Sequence, residues 1–133
     1  MPNNQQIPPT KLETIKAISE AVIAFRDARD WKQFHTAKDM ALSLMLEAGE
    51  VGELFQWKTE NNLCNLCKDQ SFKKELGREL SDVMYWVSLI AHDGGIDLGQ
   101  AFADKLLENG AKYPVVTAKG SSAKYNHQTS GGD

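Results

Sequence analysis

The sequence predicts an all-α protein of four main helices forming a bundle. Apolar residues recur at helical spacing in four segments, capping signals open three of them, and no stretch sustains the period-two alternation of a strand. There is no internal repeat.

Residues 1–9 read as a disordered lead-in closing on Pro8-Pro9. Thr10 with Glu13 forms a capping box, and Leu12, Ile15, Ile18, Val22 and Phe25 carry the first helix to about Arg29. Thr36 with Asp39 repeats that signal ahead of an unbroken helical pattern from Met40 to Trp57. Residues 59–70, with Asn61-Asn62, lack periodicity and form the connection. A third helix spans about Ser71 to His92 and stops at Gly94-Gly95. Asp97 and Gln100 cap a fourth, which ends near Asn109-Gly110 or at Tyr113-Pro114. The domain is therefore expected over residues 10–114, and the Gly-, Ser- and Lys-rich segment 115–133 is expected to be a mobile tail.

At 133 residues the chain suits one domain, since neither half would hold a core alone. Its 41% apolar and 25% charged content is that of a globular protein. A net charge of −3 argues against a general nucleic-acid or membrane-surface binder. With no run of 18 apolar residues and a polar N-terminus, a cytoplasmic location is expected. The two cysteines, Cys64 and Cys67, lack the further ligands of a zinc site and the βαβ context of a redox motif. They read as ordinary thiols in a reducing compartment.

The acids are less ordinary. In the second helix Glu47, Glu50 and Glu53 follow one another at intervals of three, so they stack along one side. Glu47 and Glu50 share an arc with Met40, Ser43, Leu44, Val51 and Leu54, and thus interrupt the stripe that should be buried. A solvated Glu-rich face would carry basic partners one turn away. Yet between Lys38 and Lys58 there is no Lys, Arg or His. Uncompensated acids repel, at a cost that grows with burial, and a divalent cation removes that cost.

The third helix adds Glu79 and Asp82, flanking the stripe Leu76, Leu80, Val83, Val87 and Ile90 together with Trp86. Pairing of Arg78 with Asp82 and of Lys74 with Glu79 is the alternative reading there. With the second helix, these acids complete a set of hard oxygen donors without His or Cys, which favours Mg²⁺ or Mn²⁺ over zinc or copper. Gly49 and Gly52, each costing a helix about 1 kcal/mol, suggest that a helix or a ligand approaches the backbone.

Glu47-x-x-Glu50, 28 residues, then Glu79-x-x-Asp82 resembles the signature of the MazG-like all-α NTP pyrophosphohydrolases, in particular their dCTP pyrophosphatase branch. The strings Arg29-Asp30-Trp31-Lys32-Gln33-Phe34-His35, Gly49 through Lys58, Glu79 through Val83, and Lys105 through Asn109 to Tyr113-Pro114 carry the resemblance over residues 11–114. It implies Glu47, Glu50, Glu79 and Asp82 as metal ligands, and Trp31, Trp57 and Trp86 around the base. It further implies His35, Lys38, Lys105, Asn109 and Tyr113 at phosphates and sugar. One departure stands out: Val22 occupies the position, about a turn before Phe25, where the animal enzymes of the branch are expected to place a base-reading His.

The reaction implied is Mg²⁺-dependent cleavage of a (deoxy)nucleoside triphosphate, dCTP-like, to a nucleoside monophosphate and pyrophosphate. Mn²⁺ is a possible substitute. Glu53, or Glu50 where not fully engaged with metal, is the candidate base. The resemblance also implies a homo-oligomer, a tetramer built from dimers, with a dimer as the alternative. The rival readings are a nucleotide- or metal-binding module without catalysis and a structural helical adaptor.

Overall fold

The computed structural model describes residues 11–127, which contain helices and turns but no strand. They divide into two compact units at Ile96 and Asp97.

In the first unit, helix α1 spans Ile15–Asp27, and Thr14 caps it by accepting the Ala17 N–H at 3.0 Å. The cap expected at Thr10 lies outside the described residues. After α1 the chain reverses at Asp30, whose left-handed φ of 53° is tolerable for an Asp. The Gln33 amide donates to the Asp30 carbonyl and carboxylate at 3.0 and 2.8 Å, fastening a 3-10 turn at Trp31–Phe34. Helix α2, Ala37–Phe55, begins under the Thr36 cap as the sequence indicated.

The connection is not the irregular loop expected. It folds into helix α3, Glu60–Leu66, because Thr59 and Asn62 form a reciprocal capping box. Seven residues are too few for apolar periodicity to register. Both cysteines are free and exposed there. Helix α4, Gln70–Asp93, opens on Asp69, whose carboxylate accepts the Ser71 and Phe72 N–H groups. It closes at Gly94, and Gly95 takes a left-handed φ of 65°.

Helix α4 is the centre of this unit. It packs along α2 and also against α1. Phe55 at the end of α2 meets Phe72 at the start of α4 edge-on at 5.7 Å, so the two helices run antiparallel. Buried apolar side chains are few among the described residues: Met40, Phe72, Leu89 and Ala91. Leu80, expected in the buried stripe of α4, is instead 50% exposed, and the inward face turns through Ser88 and Leu89. Ser88 is accommodated by donating its hydroxyl to the Met84 carbonyl at 2.8 Å.

One ion pair joins α1 to α4. Arg26 is wholly buried, and its Nη1 donates to both carboxylate oxygens of Asp93, at 3.0 and 2.8 Å. Burial by itself would lower the Arg26 pKa, but the hydrogen bonds and charges of Asp93 and Asp27 outweigh it and raise the value.

In the second unit, helix α5 covers Leu98–Lys112 and is capped by Asp97, which accepts the Gln100 N–H at 2.9 Å. The segment from Val115, expected to be mobile, carries a short helix α6, Val115–Ala118, and a 3-10 turn at Tyr125–His127. Tyr113 holds Tyr125 edge-on at 6.1 Å, and the Lys112 ammonium lies 5.7 Å from the Tyr125 ring. The expected lead-in, 1–9, and residues 128–133 lie outside the described residues.

Asp93→Ala should lower unfolding free energy by about 3–5 kcal/mol, since it strands a buried guanidinium. Glu108→Ala removes only surface pairs with Lys105 and Lys112, screened by water, and should leave stability nearly unchanged. Urea midpoints of the two variants, at unchanged slope, check the contrast.

Candidate metal centre

The antiparallel pairing of α2 and α4 brings their acids face to face. Glu47, Glu50 and Glu79 each offer a carboxylate oxygen, and these three oxygens lie within 4.8 Å of one another. Asp82 is not part of that triad, but its charge acts on both Glu47 and Glu79. Of the four ligands the sequence implied, the fold thus gathers three tightly and sets the fourth alongside.

No base compensates them. Among the described residues none of these acids forms an ion pair, and neither Arg78–Asp82 nor Lys74–Glu79 is made. Glu79 Oε2 is buried without a hydrogen-bond partner. Burial raises the Glu79 pKa above the ordinary 4.5, followed by its hydrogen bond to Glu50 and the charges of Glu50, Asp82 and Glu47. The Glu47 pKa is raised by the same leading cause, burial, and then by Glu50 and Asp82. The Trp86 indole N–H beside Glu47 works the other way, favouring its charged form. An all-oxygen donor set with an orphaned buried oxygen fits a hard divalent cation, which would be held by Glu47, Glu50 and Glu79 with Asp82 adjacent.

The surroundings extend this centre. The His35 ring stands edge-on to Trp86 at 5.2 Å, with its Nδ1 buried and unpartnered. Trp86 therefore links His35 to Glu47, a connection that sequence reasoning missed. The spacing of Trp86 four residues after Asp82 on α4 was its only signal. A cleft of about 490 Å³ opens from Glu50 and Glu79, and Glu53 lines it.

The aromatic residues diverge. Trp31 packs edge-on against Phe25 at 5.8 Å. Trp57 is 93% exposed at a left-handed φ of 64°. Val22 lines a separate apolar cavity of about 210 Å³ between α1 and α4, with Phe25 and Tyr85. Lys38 is exposed at the start of α2. In the second unit, Lys105 contacts Glu108 at 3.2 Å, and the Asn109 carbonyl accepts the Tyr113 N–H at 2.9 Å. Among the described residues no helix makes the close approach expected at Gly49 and Gly52. A Cβ on either would meet nothing within 4 Å, because both face outward from α2.

Residues 42–127 match the MazG-like family. The chain belongs to that family. It is 36% identical over 112 residues to dCTP pyrophosphatase 1 of Mus musculus, and likewise to that of Homo sapiens. Each match covers 84% of this chain and 66% of the relative, so the aligned part spans just under two thirds of those proteins. The crystal structure of a pyrophosphatase from Archaeoglobus fulgidus superposes with a TM-score of 0.68 at 26% identity, covering 79% of this chain and 96% of that one.

The raised pKa values set a pH dependence for the metal-free protein. Folded values above unfolded ones mean that the native state retains protons the unfolded state has shed. The contribution of Glu47 and Glu79 is therefore greatest below pH 4.5 and is lost as pH rises through their raised values. Thermal unfolding without metal should show melting temperature declining over that window. Glu79→Gln should flatten the decline, and a divalent cation should reverse it in the unsubstituted protein.

Proposed function

We propose that this chain is a nucleoside triphosphate pyrophosphohydrolase that uses Mg²⁺, with Mn²⁺ as a substitute, and prefers dCTP-like substrates. The convergence of three carboxylates within 4.8 Å, uncompensated by any base, carries this reading. The family and the dCTP pyrophosphatase relatives support it. That no described helix is long and apolar enough to cross a membrane accords with a cytoplasmic enzyme.

When bound, the cation supplies charge neutralisation at phosphate oxygens and makes an attacking water more acidic. Glu47, Glu50, Glu79 and Asp82 would hold it. Glu53, exposed on the cleft, accepts the proton as the water oxygen joins one phosphate and the α–β bridge breaks. The products are a nucleoside monophosphate and pyrophosphate. Lys38 and Lys105 offset phosphate charge, and His35, Asn109 and Tyr113 contact phosphates and sugar. Trp31, Trp57 and Trp86 serve the base.

The base is read loosely. Stacking contributes roughly 1–3 kcal/mol per base and favours no particular one. Val22 presents a hydrocarbon wall, with Phe25 beside it, instead of a hydrogen-bonding ring. The active assembly is a homotetramer built from dimers. On α2, Leu42, Met45 and Leu46 are 50–70% exposed, more apolar surface than one helix face of a lone chain ordinarily leaves to water.

Pyrophosphate release from a panel of four dNTPs tests the activity. EDTA should abolish it, Mg²⁺ or Mn²⁺ should restore it, and Zn²⁺ should do so poorly. Full turnover in metal-free protein, or none with any dNTP, would sink the reading. Trp57→Gly, which keeps the left-handed backbone and removes the indole, should raise KM roughly tenfold to a hundredfold for every good substrate. Its kcat should change less than that of Glu50→Gln.

A further inference from the structure

The cleft beside the carboxylate centre is lined by five acids, Glu50, Glu53, Asp69, Glu75 and Glu79, and by a single base, Lys58. A polyphosphate could not enter such a surface without counter-charge, and bound cation at one end neutralises only part of it. Lys58 is half-buried, at the point where α2 has ended.

Its position follows from backbone geometry. Trp57 takes a φ of 64°, which is uncommon for a bulky residue and persists only where its surroundings enforce it. That one residue turns the chain back, so that the Lys58 N–H bonds the Phe55 carbonyl at 3.3 Å. The Lys58 ammonium then donates to the Leu54 carbonyl in the last turn of α2. The same reversal leaves the Trp57 indole almost wholly in solvent. One strained residue thus presents an aromatic outward and an ammonium to the cleft. An ammonium has three N–H donors, and only one is engaged by Leu54.

We propose that Lys58 binds the pyrophosphate end of the substrate and the pyrophosphate product. The triphosphate part rests on the reading above; binding of pyrophosphate itself does not. Lys58 supplies a positive charge and two free donors in a cleft otherwise lined by carboxylates, and its bond to Leu54 holds it there in advance.

Inorganic pyrophosphate is titrated calorimetrically into the full chain in Mg²⁺, for the unsubstituted protein, Lys58→Gln and Lys58→Arg. Gln keeps an N–H for the Leu54 carbonyl but no charge, and melting curves confirm that each variant is folded. Lys58→Gln should weaken pyrophosphate binding roughly tenfold to a hundredfold, the loss of a charge-assisted contact. Lys58→Arg should stay within a few-fold, and Mg²⁺ affinity should be unchanged in both. Equal pyrophosphate affinity in all three proteins, no binding by the unsubstituted one, or a parallel loss of Mg²⁺ affinity overturns the assignment. If pyrophosphate binds in a Lys58-dependent way yet no dNTP is hydrolysed, the activity reading fails and the Lys58 site stands. If dNTPs are hydrolysed but pyrophosphate binding does not depend on Lys58, the activity reading stands and the Lys58 site fails.

Discussion

Four like charges at the seam of two antiparallel helices are the constraint around which this protein is arranged. Glu47 and Glu50 on α2 face Glu79 on α4, with Asp82 alongside, where apolar side chains would bind the helices more tightly. Burial first, and then their mutual repulsion, raises the pKa values of Glu47 and Glu79. The remainder of the α2–α4 contact must hold against it. Phe55 on Phe72 fastens one end of the seam. Further along α4, Trp86 lies beside Glu47 and meets the His35 ring edge-on. A cation that binds only the folded pairing converts this local cost into stabilisation, growing with the logarithm of its concentration over its dissociation constant.

The ion pair of Arg26 with Asp93 answers a related problem with the opposite chemistry. There the charges are complementary and one partner is fully enclosed, so the pair locks the end of α1 onto the end of α4. Such a pair contributes less to net stability than hydrocarbon of equal volume, but breaking it is severe. It is directional where the few buried apolar residues are not. Fixing α1 also fixes the entry to the 3-10 turn that carries Trp31 and then His35.

Much of this was legible in the sequence. The α2 acids could be recognised because they broke an apolar stripe and lacked bases one turn away, both properties of local spacing. Thr36, Asp69 and Asp97 cap by contacts within three residues, of which sequence inspection caught Thr36 and Asp97. What escaped depends on partners distant along the chain. Arg26 is separated from Asp93 by 67 positions, and nothing near either marks it as buried. Helix α3 escaped for a different reason: seven residues capped by Thr59 and Asn62 leave too short a record to show a period. Leu80 fits the helical stripe but is half exposed, because periodicity identifies a face without saying what covers it.

Gly49 and Gly52 carry that distinction further. Each lowers the helical propensity of α2, and neither is required by a neighbour within the chain. Their cost falls on the segment that also bears Glu47, Glu50 and Glu53, so the most acidic part of α2 is its least intrinsically helical. The open space around them is also what a second chain or a substrate would need in order to reach the α2 backbone. A sequence tuned for the stability of the isolated chain would place Ala at both positions and gain about 1 kcal/mol at each. Keeping Gly on the outer surface of the helix that bears the acids leaves the α2 backbone open on the side that no described residue covers.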